Sequence, residues 1–209
     1  MEDPRIPKIL RKLTGRNMEA FFVKNKQEAI EKILSLIDKE KQIGFGGSMT
    51  LVEMKIVDIL KEKGYNIIDT LTTRYSVPPK PIDVKLLDQL LTCDVLITGS
   101  NAVTEDGIIM NTDSMGTRVA PMIYGPDSVI VVMGKNKIVK NVEEARERIR
   151  NIAAPMNCKR KALRTPCVKV GHSCLCRSPD RICCTTTVFE FQKRKERMKV
   201  IIIDEDLGY

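Results

Sequence analysis

Helix-like and strand-like segments alternate along most of this chain, and that rhythm restricts its fold more than any other feature. An amphipathic helix opens it from Ile6 to Leu13, and an apolar strand follows around Ala20–Val23. Ile30, Ile33, Leu34 and Ile37 then recur at the spacing of one helical face. A short strand, Gln42–Phe45, breaks at Gly46-Gly47-Ser48, and Thr50-x-x-Glu53 reads as a capping box opening the next helix. Strand Tyr65–Asp69, helix Ile82–Leu91, strand Asp94–Thr98 and strand Ser128–Met133 come next. Asn141-x-x-Glu144 caps a helix expected to run to about Ala153, and strands near Val188–Phe191 and Lys199–Ile203 close the chain. Strands that alternate with helices build βαβ units, so the expected class is α/β with a mostly parallel sheet.

The length of 209 residues suits one domain over 1–209, with an N-terminal helix over 1–18 and a Cys-rich loop insert over 158–184. Hydrophobic residues at 43% and charged residues at 30% exclude wholesale disorder. The densest apolar run, Val129–Met133, is strand-sized, so no membrane insertion is expected and the chain reads as cytoplasmic. Thiols stay reduced there, and clustered cysteines then point to metal or redox chemistry before disulfides.

Charge and thiols are unevenly placed. The net charge is +8, yet residues 158–199 alone hold twelve Lys/Arg against three acidic residues, and six of the seven cysteines lie between Cys158 and Cys184. The body is therefore near neutral and the excess is local. The single histidine, His172, excludes a His-rich metal cage and argues against a hydrolytic triad. Lys193-Arg-Lys-Glu-Arg-Met-Lys199 reads as a solvated hairpin turn between two apolar strands. A nucleic-acid surface is the sharper alternative, but no aromatic residue falls between Cys158 and Cys184 to stack a base.

Three features carry chemistry. Gly46, Gly47 and Ser48 lie at a strand-to-helix turn, where exposed N–H groups suit a phosphate or carboxylate, or where Ser48 or Thr50 is simply a cap. The segment Thr98–Arg118 follows a buried strand and packs Asn101, Thr104, Asp106, Asn111, Thr112, Asp113 and Arg118 into about twenty residues. It reads as a β-hairpin turning at Glu105-Asp106-Gly107, with a second turn at Asn111–Gly116 and a polar face for a ligand. Arg118 is the candidate for a bidentate contact to a carboxylate or phosphate. Third, Cys167-x6-Cys174-x-Cys176-x6-Cys183 offers four thiolates, which suits a 4Fe-4S cluster or a tetrahedral Zn²⁺; His172 and Cys184 are further possible ligands.

The runs IGFGGSMTLVEM, DVLITGSNAVTEDGIIMNTDSMGTRVAPMIYGPDSVIVVMGKNKIV, NIAAPMN, TPC, SPDRIC and IIIDEDLGY, in that order from about Phe21 to Tyr209, resemble the lactate-utilisation (LUD) family. The resemblance implies the three-layer α/β fold, sheet flanked by helices, of ribose-5-phosphate isomerases and CoA transferases. It implies a ligand pocket lined by the Gly46–Ser48 turn and the Gly99–Arg118 loop, and a four-cysteine segment. It also implies a part in the iron–sulfur-dependent oxidation of lactate to pyruvate, with other subunits of a lactate oxidation complex as partners. Two departures stand out. Family members run Cys-x5-Cys-x2-Cys-x6-Cys, whereas Ser173 stands at the second position here and Cys174 follows it. Related isomerases carry Gly-Ala-Asp where this chain has Gly99-Ser100-Asn101, and asparagine is no general base, so that role would fall to Asp106 or Asp113. The expected function is binding of a small anionic metabolite and an Fe–S cluster within 2-hydroxy-acid oxidation, as an oxidoreductase subunit. The alternatives are a non-catalytic metabolite or redox sensor, and more remotely a nucleic-acid-binding module. The oligomeric state stays open, a homodimer included.

Overall fold

The computed structural model describes residues 3–76, 81, 83–173 and 176–209; Ile82 of the helix expected over Ile82–Leu91 and Cys174 of the thiol set lie outside the described residues. The strands of the main sheet are β1 (Glu19–Val23), β2 (Ile43–Phe45), β3 (Ile67–Ile68), β4 (Val95–Gly99), β7 (Ser128–Gly134) and β10 (Met198–Ile203). They pair in the order β1-β10-β7-β4-β2-β3, and every pairing is parallel. A second sheet, in the order β8-β5-β6-β9, holds β5 (Ala102–Thr104), β6 (Ile109–Asp113), β8 (Ile138–Val139) and β9 (Thr185–Phe189).

The alternation along β7 shows how the layers form. Ile130 and Val132 face one core with α2 (Lys26–Ser35), α3 (Met49–Glu53) and α4 (Ile56–Glu62). Val129, Val131 and Met133 face the other. There they meet α1 (Ile6–Gly15), α6 (Val84–Asp88), α7 (Val119–Ile123) and the inner side of the small sheet. All five side chains are fully buried, each worth roughly 1.5–3 kcal/mol relative to exposure. Both faces of a parallel sheet must be covered, which is why its strands read as continuous apolar runs. Helix α8 (Val142–Arg148) packs Ala145 on the outer side of the small sheet, against Ala102 and Met110.

Several local expectations change. Asn25 and Asn141 cap α2 and α8, their Oδ1 atoms accepting from the N–H groups of Glu28 at 2.9 Å and Glu144 at 3.0 Å. Thr50-x-x-Glu53, in contrast, is no capping box. Ser48 is the cap, its Oγ accepting from Leu51 N–H at 3.4 Å, while Glu53 Oε2 accepts from Gly208 N–H at 2.9 Å. The single helix expected there is two, broken at Lys55, whose φ of 54° is left-handed. The helix expected to end near Ala153 continues through a π-helical turn, Ile149–Ala153, into α9 (Ala154–Arg160). Pro155, near the start of α9, has no N–H to give, and the wider turn before it accommodates that loss.

The hairpin turns where expected, with Gly107 at φ 76°, but Asn111–Asp113 belong to β6 and the second turn begins at Ser114. The two closing strands are not a hairpin: β9 lies antiparallel to β6, β10 lies in the main sheet, and the basic run crosses between them. Nor is that run wholly solvated. Arg197 is 4% exposed and donates to the carbonyls of Met122 at 2.7 Å, Pro126 at 2.8 Å and Pro121 at 3.0 Å. Within the 158–184 insert, residues 158–160 are the last of α9, and residues 166–170 form α10 (Pro166–Val170), closed by Gly171 at φ 79°.

Candidate functional site

Parallel sheets bind ligands beyond the carboxyl ends of their strands, and the main cavity of this chain lies there. It has a volume of about 380 Å³ and is entered from the ends of β2, β4 and β7. At the end of β2, Gly46 and Gly47 make room for arginines. A Cβ on Gly46 would stand 2.8 Å from Thr98 Cβ and 3.0 Å from Arg118 Cγ; one on Gly47 would stand 2.5 Å from Arg74 Nη1. The glycine turn thus admits two guanidinium groups. Helix α3 has five residues and its first turn is already capped by Ser48, so the positive potential comes from side chains rather than from a helix end.

The end of β4 supplies Asn101, which is held on every side. Its N–H donates to Asn111 Oδ1 at 3.1 Å, its Oδ1 accepts from Thr112 N–H at 2.8 Å and Arg118 Nη2 at 3.1 Å, and its carbonyl accepts from Arg148 Nη1 at 2.8 Å. Arg118 Nη2 also donates to the Thr112 carbonyl at 2.8 Å. Asp113 Oδ1 accepts from Ser114 N–H at 3.0 Å, and its Oδ2 from Arg118 N–H at 2.9 Å and Val119 N–H at 3.4 Å. Burial pushes this carboxyl up, but the charge of Arg118, those N–H bonds and the charge of Arg74 outweigh it and hold it below the usual range.

Beyond β7 a short turn carries Lys137, 3% exposed, whose Nζ donates to Thr50 Oγ1 at 2.8 Å. Burial lowers its pKa to about 7, with the charges of Arg148 and Arg118 adding to the effect and Glu53 opposing it. Helix α9 brings Asn157, Arg160 and, just past its end, Lys161. Arg160 stacks over the Tyr75 ring at 4.2 Å and donates to Tyr209 Oη and Asn157 Oδ1, each at 2.9 Å. Arg74 donates to Thr117 Oγ1 at 3.1 Å. Burial, then neighbouring cations, depress the pKa of Lys161. Among the described wall residues, five basic side chains (Arg74, Arg118, Lys137, Arg160 and Lys161) face one side-chain carboxylate, Asp113.

Of the residues singled out from the sequence, Gly47, Ser48, Asn101, Thr112, Asp113, Arg118 and Cys183 of the thiol set line this cavity together. Gly46 lies behind Arg118, and the fully buried Asn111 positions Asn101. Thr104 accepts from Ile108 N–H inside the hairpin, and Asp106 sits at its tip, 3.7 Å from Lys12. Arg74, Tyr75, Lys137, Arg160, Lys161 and Tyr209 were not anticipated as site residues. The only signal for Arg160 and Lys161 was the local charge excess.

The thiol segment differs from the expected centre. Among the described residues, no three Cys, His, Asp or Glu side chains gather as a metal-binding group, so the metal-binding character of the insert is not borne out there. Cys167 is buried and 3.2 Å from Thr165 Oγ1; Cys184 and His172 are exposed. Arg181 ties the carbonyls of Cys183 and Cys176 at 2.9 and 3.1 Å. Burial pushes the thiol of Cys158 up to about 11, with Thr165 opposing and the nearby Cys167 and Cys183 adding to it.

Compared with known proteins, residues 6–203 match the model of the LUD domain. The chain belongs to the LUD domain family. That membership supports a role related to lactate utilisation. The LUD chain also shares its fold with the crystal structure of a DUF162 family protein from Deinococcus radiodurans. The TM-score is 0.54 at 13% identity, over 95% of this chain and 96% of that one. Ribose 5 phosphate isomerase A from Neisseria gonorrhoeae overlaps 56% of this chain and 54% of its own at 16% identity, with a TM-score of 0.35, too slight to argue from. No curated protein matches the sequence. No helix among the described residues of this LUD chain is long and apolar enough to cross a membrane.

Proposed function

We propose that this LUD chain binds a small carboxylate- or phosphate-bearing metabolite among Arg74, Arg118, Lys137 and Arg160, and that it does so as a component of lactate or other 2-hydroxy-acid oxidation. One observation carries the reading: a cavity of about 380 Å³ whose described wall has five basic side chains, three of them arginines, and a single side-chain carboxylate already committed to backbone N–H groups. Burying cations is costly without a compensating anion. The test is calorimetric titration with pyruvate, lactate and inorganic phosphate. Saturable binding that weakens in Arg118→Ala and Arg74→Ala supports the reading, and affinity unchanged in both variants removes it.

The second part of the proposal is a 4Fe-4S cluster, or Zn²⁺, on Cys167, Cys174, Cys176 and Cys183. Family resemblance and the thiol inventory support it, while the described cysteines do not assemble such a site in this arrangement. A cluster there would supply one-electron transfer. Iron with acid-labile sulfide in anaerobically purified protein is the expected result, and metal-free protein that cannot be reconstituted would remove it. A sensor without turnover is favoured instead by the occupied oxygens of Asp113, and it predicts binding with no lactate-dependent dye reduction in any reconstituted mixture.

A further inference from the structure

The cavity holds one group that anion binding alone does not explain. Lys137 is a primary amine in the wall of the site, 3% exposed, with no ion-pair partner among the described residues. A lysine meant only to hold an anion works best protonated and partly hydrated. This one is closed off by α3, by the Leu207–Gly208 segment and by the turn it stands on. A Cβ on Gly208 would stand only 3.3 Å from Nζ.

Its hydrogen bonding fixes what the nitrogen can do. Thr50 Oγ1 donates to the Leu207 carbonyl at 3.2 Å, so towards Lys137 it acts as the acceptor, at 2.8 Å. The bond spends an N–H of the amine and leaves the lone pair of its neutral form unengaged. Arg118 is close enough for its charge to act on Lys137 and lies in the same wall. Burial next to another cationic group is what activates an imine-forming lysine, and the guanidinium is suited to the carboxylate of its substrate.

We propose that Lys137 is the nucleophile of this site and captures a 2-oxo acid as an imine, the carboxylate lying on Arg118. This rests on the cavity being the anion site and names the class of its ligand. In the step, the Nζ lone pair adds to the keto carbon and the carbonyl oxygen takes up a proton as hydroxyl. Loss of water then leaves C=N. Amine and ketone become imine and water, so no oxidant or reductant is consumed. The charges of Arg148 on α8 and Arg118 before α7 oppose the ammonium form, with Glu53 on α3 pulling the other way. Exposed lysines would require a far more alkaline solution to react.

The experiment treats the full chain with pyruvate and sodium cyanoborohydride at pH 7, followed by peptide mass spectrometry. Equilibrium dialysis of labelled pyruvate runs alongside. The expected result is a carboxyethyl adduct confined to Lys137, absent in Lys137→Arg, which keeps the cation, and at least tenfold reduced in Arg118→Ala. Lys137→Met, whose folding is checked by circular dichroism, gives a second unreactive variant should the arginine not fit. Pyruvate that binds without an adduct, or an adduct spread over surface lysines, overturns the imine and leaves the anion site standing. No binding at all overturns both.

Discussion

Gly46 and Gly47 each leave room for a different arginine, so the two should respond differently to a methyl group. Gly47→Ala would displace only the far end of Arg74, and we expect normal thermal stability with anion affinity down roughly tenfold by calorimetry. Gly46→Ala would press on Thr98 Cβ in a buried place and should cost about 1–3 kcal/mol in urea unfolding. Arg118→Ala should weaken anion binding by roughly ten- to a hundredfold, the worth of a charge-assisted bond. Lys137 sets a pH dependence. Its pKa falls from 10.5 to about 7 in the fold, so between those values the unfolded chain binds a proton that the native protein has released. Stability therefore rises with pH through that window, and the penalty is complete below it. The urea midpoint should show this rise, on the order of a few kcal/mol, and lose it in Lys137→Met. Cys93 and Cys158, pushed up to about 11, act in the opposite sense above pH 9 in both proteins and cancel in the comparison. Of these residues the glycines, Asp113 and Arg118 were legible as a site, because turn chemistry and a dense polar loop leave local signals. Arg74 and Lys137 were not. A lone basic residue has no period or spacing, and only tertiary packing decides whether it meets water or a cavity.

At the scale of elements, patterns with a period survived, while of the two spaced capping patterns only Asn141-x-x-Glu144 did. The main-sheet strands and the faces of α1 and α2 were readable because burial imposes their repeat. Thr50 and Glu53 have the spacing of a cap, yet both are drawn away by the Leu207–Gly208 segment, a long-range competitor that spacing cannot show. The basic run from Lys193 to Lys199 was misread for a similar reason: charge alone suggested water, while Arg197 spends its guanidinium on three carbonyls at the end of α7 and the approach to β7. Arg197→Ala should therefore cost about 2–4 kcal/mol, since it leaves those carbonyls without a partner. The side chain of its neighbour Arg194 pairs with the exposed Asp127 at 2.8 Å, and Arg194→Ala should change stability by no more than ~0.5 kcal/mol. Differential scanning calorimetry on the pair separates the two roles.

For the molecule as a whole, the cavity gathers segments far apart in the chain: Arg74, Arg118, Lys137, Arg160 and Tyr209 each arrive on a different element or turn. No window of the sequence holds them together, which is why the fold was more legible than the site. A ligand that binds only this assembled wall should stabilise the native state, by about 2.7 kcal/mol at a hundred times its Kd. Thermal denaturation with pyruvate should show the gain, and Arg118→Ala should show little of it. The topology has a further consequence in the cell. Strand β10 lies between β1 and β7, so Ala20 and Val131 both register against Val200. On the ribosome, β1 is made long before β10 and stays without a sheet neighbour until Met198–Ile203 have emerged. The pairings among β2, β3, β4 and β7 need only earlier chain, whereas β1 joins the sheet only through β10, a closing event that rests on very distant contacts. Nascent chains arrested before Met198 should stay sensitive to protease and dependent on chaperones, however well their helices have formed.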